Sequence, residues 1–204
     1  MTRRTVALMG GIAALLLVVA SPVAHLDHHL LTAHMAQHLI LMLVAAPLIL
    51  LGARLSTLPQ PPLAICWLAG SSTVILWHVP AIFERALESH LWHGVEDASF
   101  LIAGIVFWRP MIGNTGWSAP IYLFLATLPC DVLSAFLAFS GHVVFRPYVS
   151  GHAAMFGLSP LDDQALAGAL MWVAVTFAYL LPALVLTGRL IRTERSNPVQ
   201  IGVT

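Results

Sequence analysis

Charged side chains are scarce in this 204-residue chain, and lysine is absent from it. Only 9% of the residues are charged, against about 25% in soluble domains, and the formal net charge is zero. Binding to a phosphate backbone needs a track of basic side chains, so this composition argues against nucleic acid as a partner. With 59% hydrophobic residues, the same composition predicts a membrane protein that lies in the lipid bilayer.

Cysteine is also scarce, with Cys66 and Cys130 as the two examples. They form no Cys-x-x-Cys pair, so the motif of a thiolate copper site or a redox site is absent. Cys66 falls near one end of its apolar segment and Cys130 near the middle of another, and this difference in depth argues against a disulfide. We interpret both as small buried hydrophobic side chains.

Two motifs of catalysis are missing as well. The chain contains no His-Glu-x-x-His sequence, which membrane zinc proteases use, and no Gly-x-Ser-x-Gly sequence, which places a nucleophilic serine. We therefore interpret the protein as not an enzyme.

Long apolar segments, in contrast, dominate the chain. Six are long enough, or nearly so, to cross a bilayer, which takes about 20 residues. They cover approximately residues 5–24, 34–53, 63–79, 95–111, 119–141 and 165–188. The fold class predicted is all-α, a polytopic transmembrane bundle of about six helices.

The first apolar segment has two interpretations. Thr2-Arg3-Arg4 before an apolar stretch is typical of a secretory signal as well as of a transmembrane helix. We favour an uncleaved helix. Cleavage of a signal would leave a bundle of five transmembrane helices. The chain then divides into an N-terminal transmembrane or signal-anchor helix at 1–24, a membrane helix bundle at 25–188 and a cytoplasmic tail at 189–204.

Arginine predicts the orientation. If the N-terminus is cytoplasmic, seven of the nine arginines fall on the cytoplasmic side, which agrees with the positive-inside rule. The prediction is a multi-pass protein of the cell inner (plasma) membrane with both the N-terminus and the C-terminus cytoplasmic. On this threading all ten histidines lie on the outer side.

The sharpest local pattern is a pair of histidines one helical turn apart. His34 and His38 stand at positions i and i+4, so a helix places both imidazoles on one face, where they can reach one ion. The apolar run at 39–51 follows directly and places this face at a membrane boundary. Because neutral imidazole is the commonest metal ligand in proteins, the pair predicts part of a metal site.

Four other residues fall at a similar depth. His78 ends the segment 63–79, while His93 and Glu96 stand at i and i+3 at the start of 95–111, with Asp97 next to them. The alternative is a set of interfacial histidines bonded to loops and headgroups. We predict that the outer helix ends converge on one outer-face metal-binding cluster, and the candidate ligands are His34, His38, His78, His93, Glu96 and Asp97.

The types of candidate ligand limit which metal ion the site would bind. Imidazole suits zinc, copper, iron and nickel. A thioether near the imidazoles, such as that of Met35, and an oxidising compartment favour copper, although a methionine in a membrane helix more often serves packing. The sequence thus favours copper.

The other histidines divide into two groups. His25, His28 and His29 form a loop cluster that either captures metal loosely or is merely polar. We interpret the remaining three as surface loop residues; they are His90, His142 and His152.

Acidic residues supply three further predictions. Asp131 lies within an apolar segment, where a carboxylate is costly, so it has either a functional role or a hydrogen-bonded partner. Ser159-Pro160-Leu161-Asp162 is an acidic variant of a helix capping box, which makes Asp162 structural. Asp163 and Gln164 follow directly, and the sequence leaves open whether they face the metal site or only begin the helix.

Four segments together resemble one known family, the CtaG-type cytochrome c oxidase assembly factors, and the likeness covers roughly residues 25–185. The segments are His34-Met35-Ala36-Gln37-His38 running into Pro47-Leu48 and Leu51-Gly52, Trp77-His78-Val79-Pro80-Ala81, His93-Gly94-Val95-Glu96-Asp97-Ala98-Ser99-Phe100 running into Phe107-Trp108, and Gly157-Leu158-Ser159-Pro160-Leu161-Asp162-Asp163-Gln164 with Ala167-Gly168 and Met171-Trp172. Any one alone would be weak, but their order makes the set specific.

The resemblance implies a membrane assembly factor, or chaperone, for a haem–copper cytochrome c oxidase. It implies that the protein supplies or holds copper for the membrane-embedded copper centre of the oxidase, whose subunits would be its partners. It implies that the candidate metal ligands are His34, His38, His78 and His93. The chain departs from the pattern at Asp97, where many members have histidine, and a carboxylate is a harder ligand that favours copper(I) less.

Two other classes of function remain as alternatives. One is a membrane di-iron hydroxylase or desaturase, whose histidine boxes the pattern His25-x-x-His28-His29 and His34-x-x-x-His38 superficially matches. Those boxes face the cytoplasm and recur in a third copy, which this chain lacks. The other is a membrane cytochrome with bis-histidine haem, which needs histidines well inside facing helices.

Overall fold

The computed structural model describes residues 1–22, 24–57, 59–114, 116–150 and 152–196, and helices dominate this part of the chain. We number the seven main helices in chain order. They are α1 (Arg3–Val19), α2 (Leu31–Gly52), α3 (Leu63–Trp77), α4 (Pro80–Glu88), α5 (His90–Trp108), α6 (Ser118–Phe139) and α7 (Pro160–Ser196). The helix α2 contains one π-helical turn at Leu41–Ala45. The predicted all-α bundle is confirmed.

Three helices are long and apolar enough to cross a membrane: α2, α6 and the Pro160–Glu194 part of α7. A fourth span results if α3 and α4, which meet at a bend of 75°, count as one unit. Because α1 has 17 residues and α5 is also outside this set, the count of six spans stays a prediction.

Element boundaries differ from the expectation in three places. The first helix ends at Val19, and a 3-10 helix, Ala24–His28, follows it. The segment after His78, which lies between the predicted apolar segments 63–79 and 95–111, forms α4, with Pro80 in its first turn, where the ring sets the helical φ. The helix α7 continues past 188 to Ser196, so the predicted tail begins as helix, and 197–204 lie outside the described residues.

The helix α2 lies at the centre of the packing and contacts α1, α5 and α7, while α3 packs on α5 and α6. Two features hold α5 close to α2. A Cβ on Gly104 would lie 2.7 Å from the Cβ of Ala46, so only glycine fits there. The indole Nε1 of Trp108 donates to the carbonyl of Met42, in the π-helical turn, at 3.0 Å. This close pairing fixes how the first turns of the two helices face each other.

The starts of α2, α5 and α7 and the end of α6 meet at one end of the bundle. Asp163 of α7 accepts a hydrogen bond from the backbone N–H of Leu31 at 2.7 Å, and Gln164 donates to the carbonyl of Leu137 in α6 at 3.3 Å. His93 of α5 lies 2.9 Å from Asp27, which precedes α2. We call this region, marked by these residues, the histidine end.

Two local predictions are confirmed. Cys66 and Cys130 are both buried and free, as small hydrophobic side chains. At the start of α7 the Oγ of Ser159 accepts from the N–H of Asp162 at 3.1 Å, and the Asp162 carboxylate accepts from the N–H of Ser159 at 3.3 Å. This is the reciprocal pattern of a capping box.

Candidate metal centre

The first turns of α2 bring His34 and His38 together, as their spacing predicts. Their ring centroids are 4.4 Å apart, and both side chains are buried. Phe100 stacks on His38 at 3.9 Å between ring centroids, and the ring of Phe83 lies 4.8 Å from that of His34. Aromatic side chains therefore wall both imidazoles and restrict their rotation.

Glu96 of α5 faces these two imidazoles and a third. Its Oε1 lies 3.4 Å from Nε2 of His34 and 3.5 Å from Nε2 of His38. Its Oε2 lies 3.5 Å from Nδ1 of His93, which stands one turn earlier on the same helix. Glu96 is fully buried, so α5 places a carboxylate among three histidines in a site of low dielectric.

The donor atoms at this point have no hydrogen-bond partners within the described residues. Both ring nitrogens of His34 and of His38, and both carboxylate oxygens of Glu96, are buried and unpaired. Leaving such atoms unpaired costs about 1–3 kcal/mol each. One ligand atom from each of the three residues lies within 4.8 Å of the others. Imidazole nitrogens with one carboxylate oxygen fit a transition-metal ion, which would satisfy these atoms.

His78 lies beside this group, at the end of α3. Its Nδ1–H donates to the carbonyl of Val74 at 2.7 Å, which fixes the tautomer and leaves Nε2 with a free lone pair. That Nε2 is buried and has no partner among the described residues. His78 and His38 line one cavity of about 40 Å³ together with Met35 and Met171. A backbone carbonyl on the other ring nitrogen is the usual arrangement of a metal-binding histidine.

Asp97 lies at the edge of the centre and is held by a residue that the sequence analysis did not select. Gln37, from the 34–38 motif of α2, donates to both carboxylate oxygens of Asp97 at 2.9 Å. The Oδ2 of Asp97 is 3.8 Å from Nε2 of His93. Gln37 therefore links α2 to α5 and orients the carboxylate toward His93.

This pair supports a first prediction. Replacing Gln37 with leucine is expected to lower the free energy of unfolding by about 1–3 kcal/mol, because the buried carboxylate of Asp97 loses its donor. Denaturation of the detergent-solubilised protein, followed by circular dichroism, measures the change. The double variant Gln37→Leu/Asp97→Asn carries no unpaired charge and should be more stable than Gln37→Leu alone. Equal stabilities of the two variants would contradict this account.

Asp27 is a member of the centre that sequence reasoning missed. It is buried, its Oδ2 lies 2.9 Å from Nε2 of His93, and its Oδ1 lies 3.8 Å from Nε2 of His28. Tyr148 donates its hydroxyl hydrogen to the backbone carbonyl of Asp27 and fixes the short 3-10 helix. Asp27, His34 and His93 form a second group whose ligand atoms lie within 4.8 Å of one another. The sequence does contain one sign of this role, because Asp27 lies between His25 and His28.

The contact between Asp27 and His93 shifts the pKa of each residue toward its charged form. Burial raises the pKa of Asp27, but the hydrogen bond from His93 and the charge of His28 outweigh it, so the pKa is lowered. For His28, burial lowers the pKa and Asp27 offsets part of that effect. His93 precedes the apolar stretch 95–111; burial lowers its pKa, yet the contact with Asp27 and the nearby carboxylates of Glu96 and Asp97 raise that pKa to about 10. A metal ion that binds His93 therefore displaces a proton.

The other histidines lie outside the two groups. His28 lies closest, with its ring centroid 5.4 Å from that of His93 and 6.4 Å from that of His90. The rings of His29 and His152 lie 5.1 Å apart, and His25 and His142 are exposed. The loop cluster predicted from the sequence consists of His25, His28 and His29. Of these three, His28 contacts the centre, through Asp27 and the ring of His93.

The remaining acidic and amide candidates are structural or separate from the centre. Asp163 is buried and accepts hydrogen bonds from the start of α2, so it faces neither the metal centre nor its own helix start. Gln164 accepts from the N–H of Val144 at 2.6 Å and donates to carbonyls of the α6 end. The Oδ1 of Asp131 is buried in α6, with no hydrogen-bond partner among the described residues.

Comparison with known proteins places the chain in one family. No curated protein and no solved structure matches the chain significantly. One family model does match, described as cytochrome c oxidase caa3 assembly factor (Caa3_CtaG), and it covers residues 1–193. That range includes every residue of both ligand groups. The chain belongs to the Caa3_CtaG family of cytochrome c oxidase assembly factors.

Proposed function

We propose that this protein assists assembly of a haem–copper cytochrome c oxidase by binding copper as cargo and delivering it to the oxidase. His34, His38 and Glu96 would hold the ion, with His78 as the adjacent fourth donor. The observation that carries this proposal is the set of buried, unpaired nitrogens around Glu96. Because the family consists of cytochrome c oxidase assembly factors, we propose that the oxidase subunits receive the copper.

The donor set supports copper on chemical grounds. Imidazole sites bind copper more tightly than the other divalent first-row metals. Glu96 contributes a negative charge that offsets the charge of the ion in a buried site. His78 would be a further donor, because its Nε2 is buried, has no hydrogen-bond partner among the described residues, and belongs to a side chain that lines one cavity with His38. On the predicted threading this site lies near the outer side of the membrane.

The geometry favours an ion carrier over the two alternatives. The side chains of His34 and Glu96 are fully buried, so the lipid substrate of a hydroxylase has no access to them. A bis-histidine haem needs imidazoles on opposite sides of the porphyrin. His34 and His38 instead lie on one helix face, and both contact the same carboxylate oxygen. We therefore propose a protein that is not an enzyme.

Metal analysis of the purified protein tests the proposal, and this is a second prediction. The wild type should retain about one copper ion per chain, because one group of three or four ligands holds one ion. The double variant His34→Ala/His38→Ala should retain none, and cells that carry it should lose oxidase activity. The control His142→Ala removes an exposed histidine of the same end and should behave as wild type. Copper retention by the double variant would refute the assignment.

A further inference from the structure

The two ligand groups share one residue and differ in depth. We call His34, His38 and Glu96 the inner position, and Asp27, His93 and His34 the outer position. His34 belongs to both, so an ion that leaves one position can keep this ligand as it enters the other.

Among the histidines, side-chain exposure decreases from His28 toward the inner position, while Asp27 of the outer position is itself buried, with 4% of its side chain exposed. The side chain of His28 is 35% exposed, that of His93 is 14% exposed, and that of His34 is fully buried. Asp27 lies between His28 and His93, in contact with both. The outer position therefore lies between the surface of the histidine end and the inner position.

Glu96 connects the positions through the ring of His93. Its Oε2 faces Nδ1 of His93 at 3.5 Å, while its Oε1 faces the imidazoles of α2. A carboxylate on one ring nitrogen of a histidine is the usual way to orient the other nitrogen toward a metal. The other nitrogen here, Nε2, lies 2.9 Å from Asp27. Asp27 also keeps an unpaired, buried Oδ1.

We infer that Asp27 and His93 form a loading position, where an incoming ion is held before it passes to the inner position with His34 as the shared ligand. This inference rests on the proposed copper binding and adds the route of the ion. Asp27 offers a charged oxygen, which binds a hydrated ion readily, whereas the deeper imidazoles bind it after water is lost. Asp27 therefore governs how fast the ion enters and leaves more than how tightly it is held.

Loading kinetics test this third prediction. Copper bound to a coloured chelator is mixed with the metal-free full-length protein in detergent, and the loss of colour gives both the rate and the equilibrium of transfer. We expect Asp27→Asn to slow transfer by at least about tenfold and to change the equilibrium constant by less than about threefold. The control Glu88→Gln removes an exposed carboxylate at the end of α4 and should transfer at the wild-type rate.

The possible results separate the two proposals. If the wild type takes no copper from the chelator, the proposed function fails. If it takes copper and Asp27→Asn transfers at the wild-type rate, the loading position alone is wrong. It is also wrong if the equilibrium constant falls as much as the rate, because Asp27 is then an ordinary ligand of a single site. His93→Gln, which removes the other outer ligand, should share the slow transfer, and its melting temperature reports whether it folds.

Discussion

Replacing Asp163 with alanine is expected to lower the free energy of unfolding by about 3 kcal/mol or more, because the start of α2 loses its cap. The carboxylate of Asp163 accepts from the backbone N–H of Leu31 at 2.7 Å and from that of Thr32 at 3.1 Å. It also accepts from the Thr32 hydroxyl at 2.7 Å. Leu30, at the N-cap of α2, makes no side-chain hydrogen bond, so α7 supplies the cap instead.

The loss should extend to the metal centre. The uncapped turn of α2 begins three residues before His34, whose position depends on that turn. Asp163→Ala is therefore expected to weaken copper binding as well as to lower the melting temperature, although it contacts no ligand. Denaturation followed by circular dichroism and equilibrium dialysis with copper measure the two effects.

A neighbouring residue gives the matched control. Asp162 is an exposed aspartate that caps only its own helix, so Asp162→Ala should cost about 1 kcal/mol and leave copper binding intact. Thr32→Val keeps the two backbone bonds and should fall between the two variants. If Asp163→Ala and Asp162→Ala were equally stable, the cap from α7 would not be important to the fold.

The parts of the site that could be predicted from the sequence are those set by local spacing. The i, i+4 pair His34 and His38 lies on one face of α2, and His93 and Glu96 lie one turn apart on α5. Helical periodicity alone dictates both relations. The apolar lengths place both pairs at one depth, but only the packing of α2 on α5 decides that the two pairs meet.

The residues that were missed depend on pairing between distant parts of the chain. Gln37 and Asp97 are 60 positions apart, and Leu31 and Asp163 are 132 apart. No local pattern shows which polar side chain a buried carboxylate will meet, since the helix packing decides it. Asp27 was missed for the same reason, because its contact with the candidate ligands is made with His93 of another helix.

The helix α4 was missed because the sequence around it supports two interpretations. An apolar segment that ends in His78-Val79-Pro80 looks like the end of a transmembrane helix, since proline disfavours helix in the residue before it. The chain does leave the helix there, but Pro80 then starts a nine-residue helix at 75° to α3. Phe83 on this helix is buried and contacts His34, so the bend closes one side of the metal centre.

Gly168 is a position where an added methyl group is expected to disturb the packing of α7 on α6. A Cβ there would lie 2.7 Å from the carbonyl oxygen of Ser134 and 2.7 Å from the backbone nitrogen of Ala138, both in α6. Neither atom belongs to a flexible side chain, so α6 and α7 would have to separate. Small residues of this kind allow helices to approach closely in membranes. We expect Gly168→Ala to destabilise the protein by about 1–3 kcal/mol, measured by denaturation in detergent.

Gly188 provides the control in the same helix. A Cβ at Gly188 meets no atom within 4 Å, and alanine stabilises a helix interior by about 1 kcal/mol relative to glycine. The same substitution should therefore lower stability at 168 and leave it unchanged or raise it at 188. Because helix propensity acts equally at both positions, the difference isolates the contact between α6 and α7. Equal effects at the two glycines would mean that these helices are not packed as closely as described.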